Sequence, residues 1–137
     1  MPAPFEMTPI GFVRRSDEAA VWVEVAPPFL PATDGLEDFS HIHVLFWFDR
    51  NDHAEGRSVL KVHPCRDPEN PLTGVFATHS PLRPNLIGMS LCRIEAIDAD
   101  RIYIDRIDAF DDTPVLDIKC FIPTRRDLSN LRLPEWV

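Results

Sequence analysis

The segment FATHSPLRPNLIG, residues 76–88, concentrates groups that can contact a ligand. His79, Ser80, Arg83 and Asn85 are interleaved with Pro81 and Pro84, and the one glycine, Gly88, stands at the end. Each proline biases the residue before it, Ser80 or Arg83, away from helical conformation. Such a loop is extended and stiff, and a stiff loop loses little entropy when it binds. Arg83 suits a carboxylate or phosphate, Asn85 an amide or base edge, and Ser80 either. The competing use of the same groups is to cap neighbouring backbone within a rigid connection.

Carboxylates form a second cluster. DRIDAFDDTPVLDIK, residues 105–119, holds Asp105, Asp108, Asp111, Asp112 and Asp117. Asp111-Asp112-Thr113-Pro114 reads as a solvated turn. Asp108 and Asp117 lie closer to apolar strand residues. Either could take or orient a proton on a reacting amine, as could His79. Asp117 could equally pair with Lys119 along one strand face. His41 and His43 are two apart, so on a strand they share a face, which is the spacing of a cupin-type metal site. A third ligand is harder to find: Glu55 lies across a polar loop, and His63, Cys65 and His79 would need the fold to gather them. No metal is expected.

The chain has 137 residues, enough for a single domain over residues 1–137 with one core, and a formal net charge of −8. That balance excludes nucleic-acid binding by bulk charge, which needs clustered Lys and Arg. Local basic pairs remain at Arg14-Arg15 and Arg125-Arg126, which otherwise read as solvated surface. The 14 prolines outnumber the 5 glycines, and no G-x-G occurs. The glycine-rich phosphate turns of Rossmann and P-loop folds therefore have no candidate. No apolar run approaches the roughly 20 residues of a membrane span, and the start, MPAPFEM, has no signal-peptide pattern. The 3 cysteines, Cys65, Cys92 and Cys120, are odd in number and far apart, which fits a reduced, cytoplasmic protein.

The elements that must position these groups are mostly strands. Alternation marks residues 20–25, 40–48, 58–63, 73–77, 86–97, 102–105 and 115–122. About seven short strands predict an all-β fold, a closed or nearly closed barrel with few helices, or else a sandwich. One helical turn is expected at residues 34–39, capped by Asp34, and a short helix at residues 123–133. Residues 51–70 read as a long polar excursion.

Several stretches together resemble the TsaA-like family, whose best-known members are the TrmO-type tRNA methyltransferases. They are PIGFV (residues 9–13), GLEDFSHIHVLFWF (35–48), GVFATHSPLRPNLIGMSL (74–91) and DAFDDTPVLDIK (108–119). The resemblance implies a small β-barrel, usually homodimeric, that binds S-adenosylmethionine outside the Rossmann class. The implied reaction is methyl transfer to N6 of threonylcarbamoyl-adenosine beside the tRNA anticodon. It further implies cofactor contacts at Asp49 and Arg50, at His79, at Leu91, and at Ile107, Asp108, Ala109 and Phe110. Ser80, Arg83, Pro84 and Asn85 are implied to shape the pocket or meet the RNA. The alternatives to an enzyme are a non-catalytic S-adenosylmethionine sensor and, on His41 and His43 alone, a cupin-like metal barrel.

Overall fold

The computed structural model describes residues 1–137. By contact, the chain falls into two compact units: residues 1–49 with 87–121, and residues 50–86 with 122–137.

The first unit is a barrel. Its strands are β1 (Gly11–Arg15), β2 (Val21–Val25), β3 (His41–Trp47), β6 (Ile87–Asp98), β7 (Arg101–Ile104) and β8 (Pro114–Cys120). They hydrogen-bond antiparallel in a closed ring of order β1-β2-β7-β6-β3-β8. Closure leaves no strand of the ring with both sides unpaired, although β6 meets β7 only from Ile94 onward. The closing seam is its shortest pairing, Gly11 to Val115 and Phe12 to Pro114.

Alternation in the sequence becomes inside and outside here. Val21, Val23 and Val25 of β2 point inward with Ile42, Val44 and Phe46 of β3, and all are buried. Val13, Cys92, Ile102, Ile104 and Val115 complete the core. Burying each such aliphatic side chain contributes about 1.5–3 kcal/mol. Outside, the Trp22 ring of β2 meets the Tyr103 ring tilted at 45° with centroids 5.5 Å apart, and the Arg101 guanidinium lies 4.9 Å from the Trp22 ring. At Gly88 a side chain has no room: a Cβ there would lie 2.5 Å from the Phe46 ring and 2.8 Å from that of Phe48.

The second unit contains a two-stranded ribbon, β4 (Lys61–Val62) with β5 (Thr73–Gly74), and a one-turn helix α1 (Ala54–Ser58). His53 caps α1 by accepting from the Gly56 amide through Nδ1 at 3.0 Å.

The barrel therefore uses six strands, and the expected strands at residues 58–63 and 73–77 shrink to the ribbon. After Gly74 the chain turns in a 3-10 helix, Val75–Ala77, because Val75 and Thr78 tuck inward while Phe76 stays 82% exposed. The turn expected at residues 34–39 is a 3-10 helix, Leu36–Asp38, and Gly35 at φ 93°, not Asp34, starts it. The helix expected at residues 123–133 does not form. Leu128, Leu131 and Leu133 are exposed, and a helix that short needs a packed face to persist.

Candidate cofactor site

Between the end of β7 and the start of β8, residues 105–113 cross the end of the barrel. Two arginines of β1 fasten this connection. The Arg15 guanidinium donates to the Ala109 carbonyl through Nε at 2.9 Å, and through Nη2 to the carbonyls of Ala109 at 2.7 Å and Ile107 at 2.5 Å. The Arg15 amide donates to the Asp111 carboxylate at 2.8 Å. Arg14 pairs with Asp112, and its Nε lies 3.5 Å from Glu24. Arg14 and Arg15 thus tie down a loop instead of forming a free basic patch. Asp111 and Asp112 are exposed, as a turn requires, but they are anchors as well as solvated groups.

The loop borders an open cleft of about 360 Å³ lined by Ser90, Leu91, Arg106, Ile107 and Asp108. That volume lies in the range of small-molecule sites, roughly 300–1,000 Å³. Leu91, on the outer face of β6, and Ile107 and Asp108, in the connection, meet there although the sequence places them apart. Ala109 offers its carbonyl to Arg15, and Phe110 is 61% exposed. Ser90 and Arg106 are lining residues that the sequence reading missed. Arg106 stands two residues from Asp108, on the other side of the buried Ile107.

The surroundings are electrostatically settled. Partial burial pushes the Asp105 carboxyl up, but the backbone amides of Arg93, Arg106 and Asp105 itself outweigh it, with the Arg93 charge adding, and hold its pKa below the usual 3.8. The Arg93 amide makes its bond at 2.8 Å. Cys92, beside Leu91, is pushed up to about 11, first by burial and then by the Asp105 charge. Its side chain is buried and packs in the barrel core.

Asp117, on β8, is exposed, and its carboxylate accepts from the Ile118 amide at 2.8 Å. His41 and His43 share the outer face of β3, as their spacing predicts. No third ligand joins them, and no three His, Cys, Asp or Glu residues gather anywhere as a metal site. His41 Nδ1 instead bonds the Ser40 hydroxyl at 2.7 Å, and both rings pack against Phe121.

In the second unit, the proline-stiffened loop is braced from within. Thr78 is buried, donates to the Val75 carbonyl at 2.9 Å and accepts from the Ser80 amide at 3.1 Å. The Ser80 hydroxyl accepts from the Leu82 amide at 3.2 Å. Arg83 Nη1 donates to the carbonyls of Thr78 and Ser80 at 3.1 and 3.2 Å. Asn51 and Arg57 hold the carbonyls of Pro81 and Pro84, each at 3.2 Å. His79 and Asn85 are the exposed polar groups, and Ser80, Arg83 and Pro84 are half-buried. Asp49 and Arg50 are exposed at the start of a 3-10 turn, Asp49–Asn51.

Residues 7–126 match the family model of the tRNA-methyltransferase O N-terminal domain. The chain belongs to this TrmO-type family. It is 47% identical over 123 residues to a "probable S-adenosyl-L-methionine-binding protein" of Pyrococcus horikoshii, covering 90% of this chain and 86% of that one. It is 43% identical over 97 residues to a tRNA (adenine(37)-N6)-methyltransferase of Mus musculus, covering 71% of this chain but only 22% of the mouse protein. A crystal structure of TrmO from Pseudomonas aeruginosa superposes with a TM-score of 0.73 at 30% identity, covering 99% of this chain and 63% of that one. The TrmO-type chain therefore spans most of the archaeal relative and less than two thirds of the other two. No helix in it is long and apolar enough to cross a membrane.

Proposed function

We propose that this chain is an S-adenosylmethionine-dependent methyltransferase acting on N6 of threonylcarbamoyl-adenosine beside the anticodon of tRNA, in the cytoplasm. One observation carries the reading: Leu91, Ile107 and Asp108, expected as cofactor contacts, line a single cleft on the barrel. The donor set fits the cofactor. Leu91, half-exposed on the outer face of β6, offers apolar surface to a nucleoside, and Arg106 and Asp108 offer opposite charges. The relatives' names point the same way, one to S-adenosylmethionine and one to tRNA adenine.

When bound, S-adenosylmethionine supplies an electrophilic methyl group on a sulfonium. The chain's own work is to hold the reactants in line and accept the proton from the attacking nitrogen. The candidate acceptors are Asp108, Asp117 and His79. Arg83 and Pro84 keep the braced loop in shape, with His79, Ser80 and Asn85 as its groups for meeting substrate. Asp49, Arg50, Ala109 and Phe110 are each proposed as cofactor contacts.

Charge distribution supports an RNA substrate despite the acidic total. The barrel unit has six Lys and Arg against sixteen Asp and Glu, whereas the second unit has eight against six. Lys61, Arg66, Arg125, Arg126 and Arg132, all in the second unit, are exposed and have no carboxylate partner. We assign the RNA-facing role to that unit. We also propose a homodimer through the outer face of β3 and β6. There Leu45 pairs with Met89 and Trp47 with Ile87, and Met89 is 57% exposed.

A second reading, a non-catalytic sensor, is favoured by the archaeal relative, which this chain nearly spans and which is named for binding alone. Calorimetry with S-adenosylmethionine, followed by mass spectrometry of anticodon-loop nucleosides after incubation with tRNA from a strain lacking the gene, separates them. Methylated threonylcarbamoyl-adenosine is the expected product. Binding without a methylated nucleoside would leave the sensor, and no binding would sink both.

A further inference from the structure

The barrel's cations are nearly all engaged. Arg14 and Arg15 hold the loop, Arg93 pairs with Glu95 at 2.8 Å, and Arg101 lies against Trp22 and Tyr103. Arg106 and Lys119 have no such partner, and only Arg106 lines the cleft. Asp108 is its counterpart among the loop carboxylates. Asp111 and Asp112 are bonded to β1, while Asp108 accepts no hydrogen bond and faces the same cleft. Arg106 and Asp108 flank Ile107, which is buried. The two are not within ion-pair distance, so the cleft presents a positive and a negative group that do not neutralise each other.

That pattern is complementary to a zwitterionic α-amino acid, which carries a carboxylate and an ammonium on one carbon. We propose that Arg106 and Asp108 grip the amino-acid end of S-adenosylmethionine, Arg106 taking the carboxylate and Asp108 the ammonium. The assignment rests on the cofactor reading above and makes this pair the determinant of ligand choice. A guanidinium presents a planar fork matched to a carboxylate, and a carboxylate accepts from an ammonium. Arg15 supplies the rigidity. By holding the carbonyls of Ile107 and Ala109, it fixes the backbone from which Asp108 projects.

The test is binding, not turnover. Wild type, Arg106→Ala and Asp108→Asn are titrated calorimetrically with S-adenosylmethionine, its decarboxylated form and methylthioadenosine, which lacks the amino-acid group. Wild type should prefer S-adenosylmethionine to methylthioadenosine. Arg106→Ala should weaken S-adenosylmethionine about tenfold and leave the other two unchanged. Asp108→Asn should weaken both amine-bearing ligands and spare methylthioadenosine. Both residues are exposed, so the variants should melt as wild type does. Equal losses for all three ligands, or no loss, would overturn the assignment. So would a wild type that binds S-adenosylmethionine and methylthioadenosine equally, although the cofactor reading would survive. A wild type that binds none of them would overturn both.

Discussion

Each of the two units is stabilised internally by different physics. The barrel is closed by strand pairing around a core of valine and isoleucine, and it carries a net charge of −10. The second unit contains one two-residue ribbon and is stapled by side chains bonded to backbone carbonyls and amides, with a net charge of +2. Area burial is tolerant of surface chemistry, so the barrel can be acidic without losing its fold. Specific staples are few and individually replaceable, so that unit is free to hold its shape with polar groups. The acidic total of −8 is thus an average over two unlike surfaces.

The contrast predicts effects of different size. Ile42→Ala, deep in the barrel, should cost about 2–5 kcal/mol in denaturant unfolding. A cost near zero would mean the core does not carry the barrel. Thr78→Val, in the second unit, removes two hydrogen bonds of a buried hydroxyl and should cost about 1–2 kcal/mol. Its sharper readout is faster amide exchange at Ser80; unchanged exchange would mean the proline pair alone sets the loop. Lys61→Ala or Arg66→Ala should lower tRNA affinity at every sequence and reduce the salt-dependence slope by about 1. Equal sensitivity at Arg93, on the barrel, would dissolve the charge contrast.

The smallest effect is in acid. The Asp105 carboxyl has a folded pKa below its unfolded value near 3.8, so it contributes stability above that pH and loses it as pH falls through the folded pKa. Asp105→Asn should flatten the acid limb of a melting-temperature profile, and an unchanged limb would place the acid sensitivity elsewhere.

Much of the barrel was legible because its strands alternate. Residues 20–25, 40–48, 86–97, 102–105 and 115–122 match β2, β3, β6, β7 and β8 to within two residues. β1 was not read as a strand from periodicity, because GFVRR ends in two charges whose partners are about a hundred residues away in the loop before β8. Of the cleft, Leu91, Ile107 and Asp108 came from family resemblance. Arg106 did not, since only the fold shows which arginine is left without a partner. The brace formed by Thr78 and Arg83 was hidden for a related reason: an arginine that bonds its own loop carries the same letter as one that awaits a phosphate.

The fastening of the loop by Arg14 and Arg15 bears on how the protein is made. The bonded residues are separated by 92 to 98 positions, and the seam pairing Gly11 with Val115 spans a similar distance. A ribosome releases β1 long before it makes the loop that β1 holds. Ligand capture by a nascent chain would therefore signal that synthesis has passed the connection before β8.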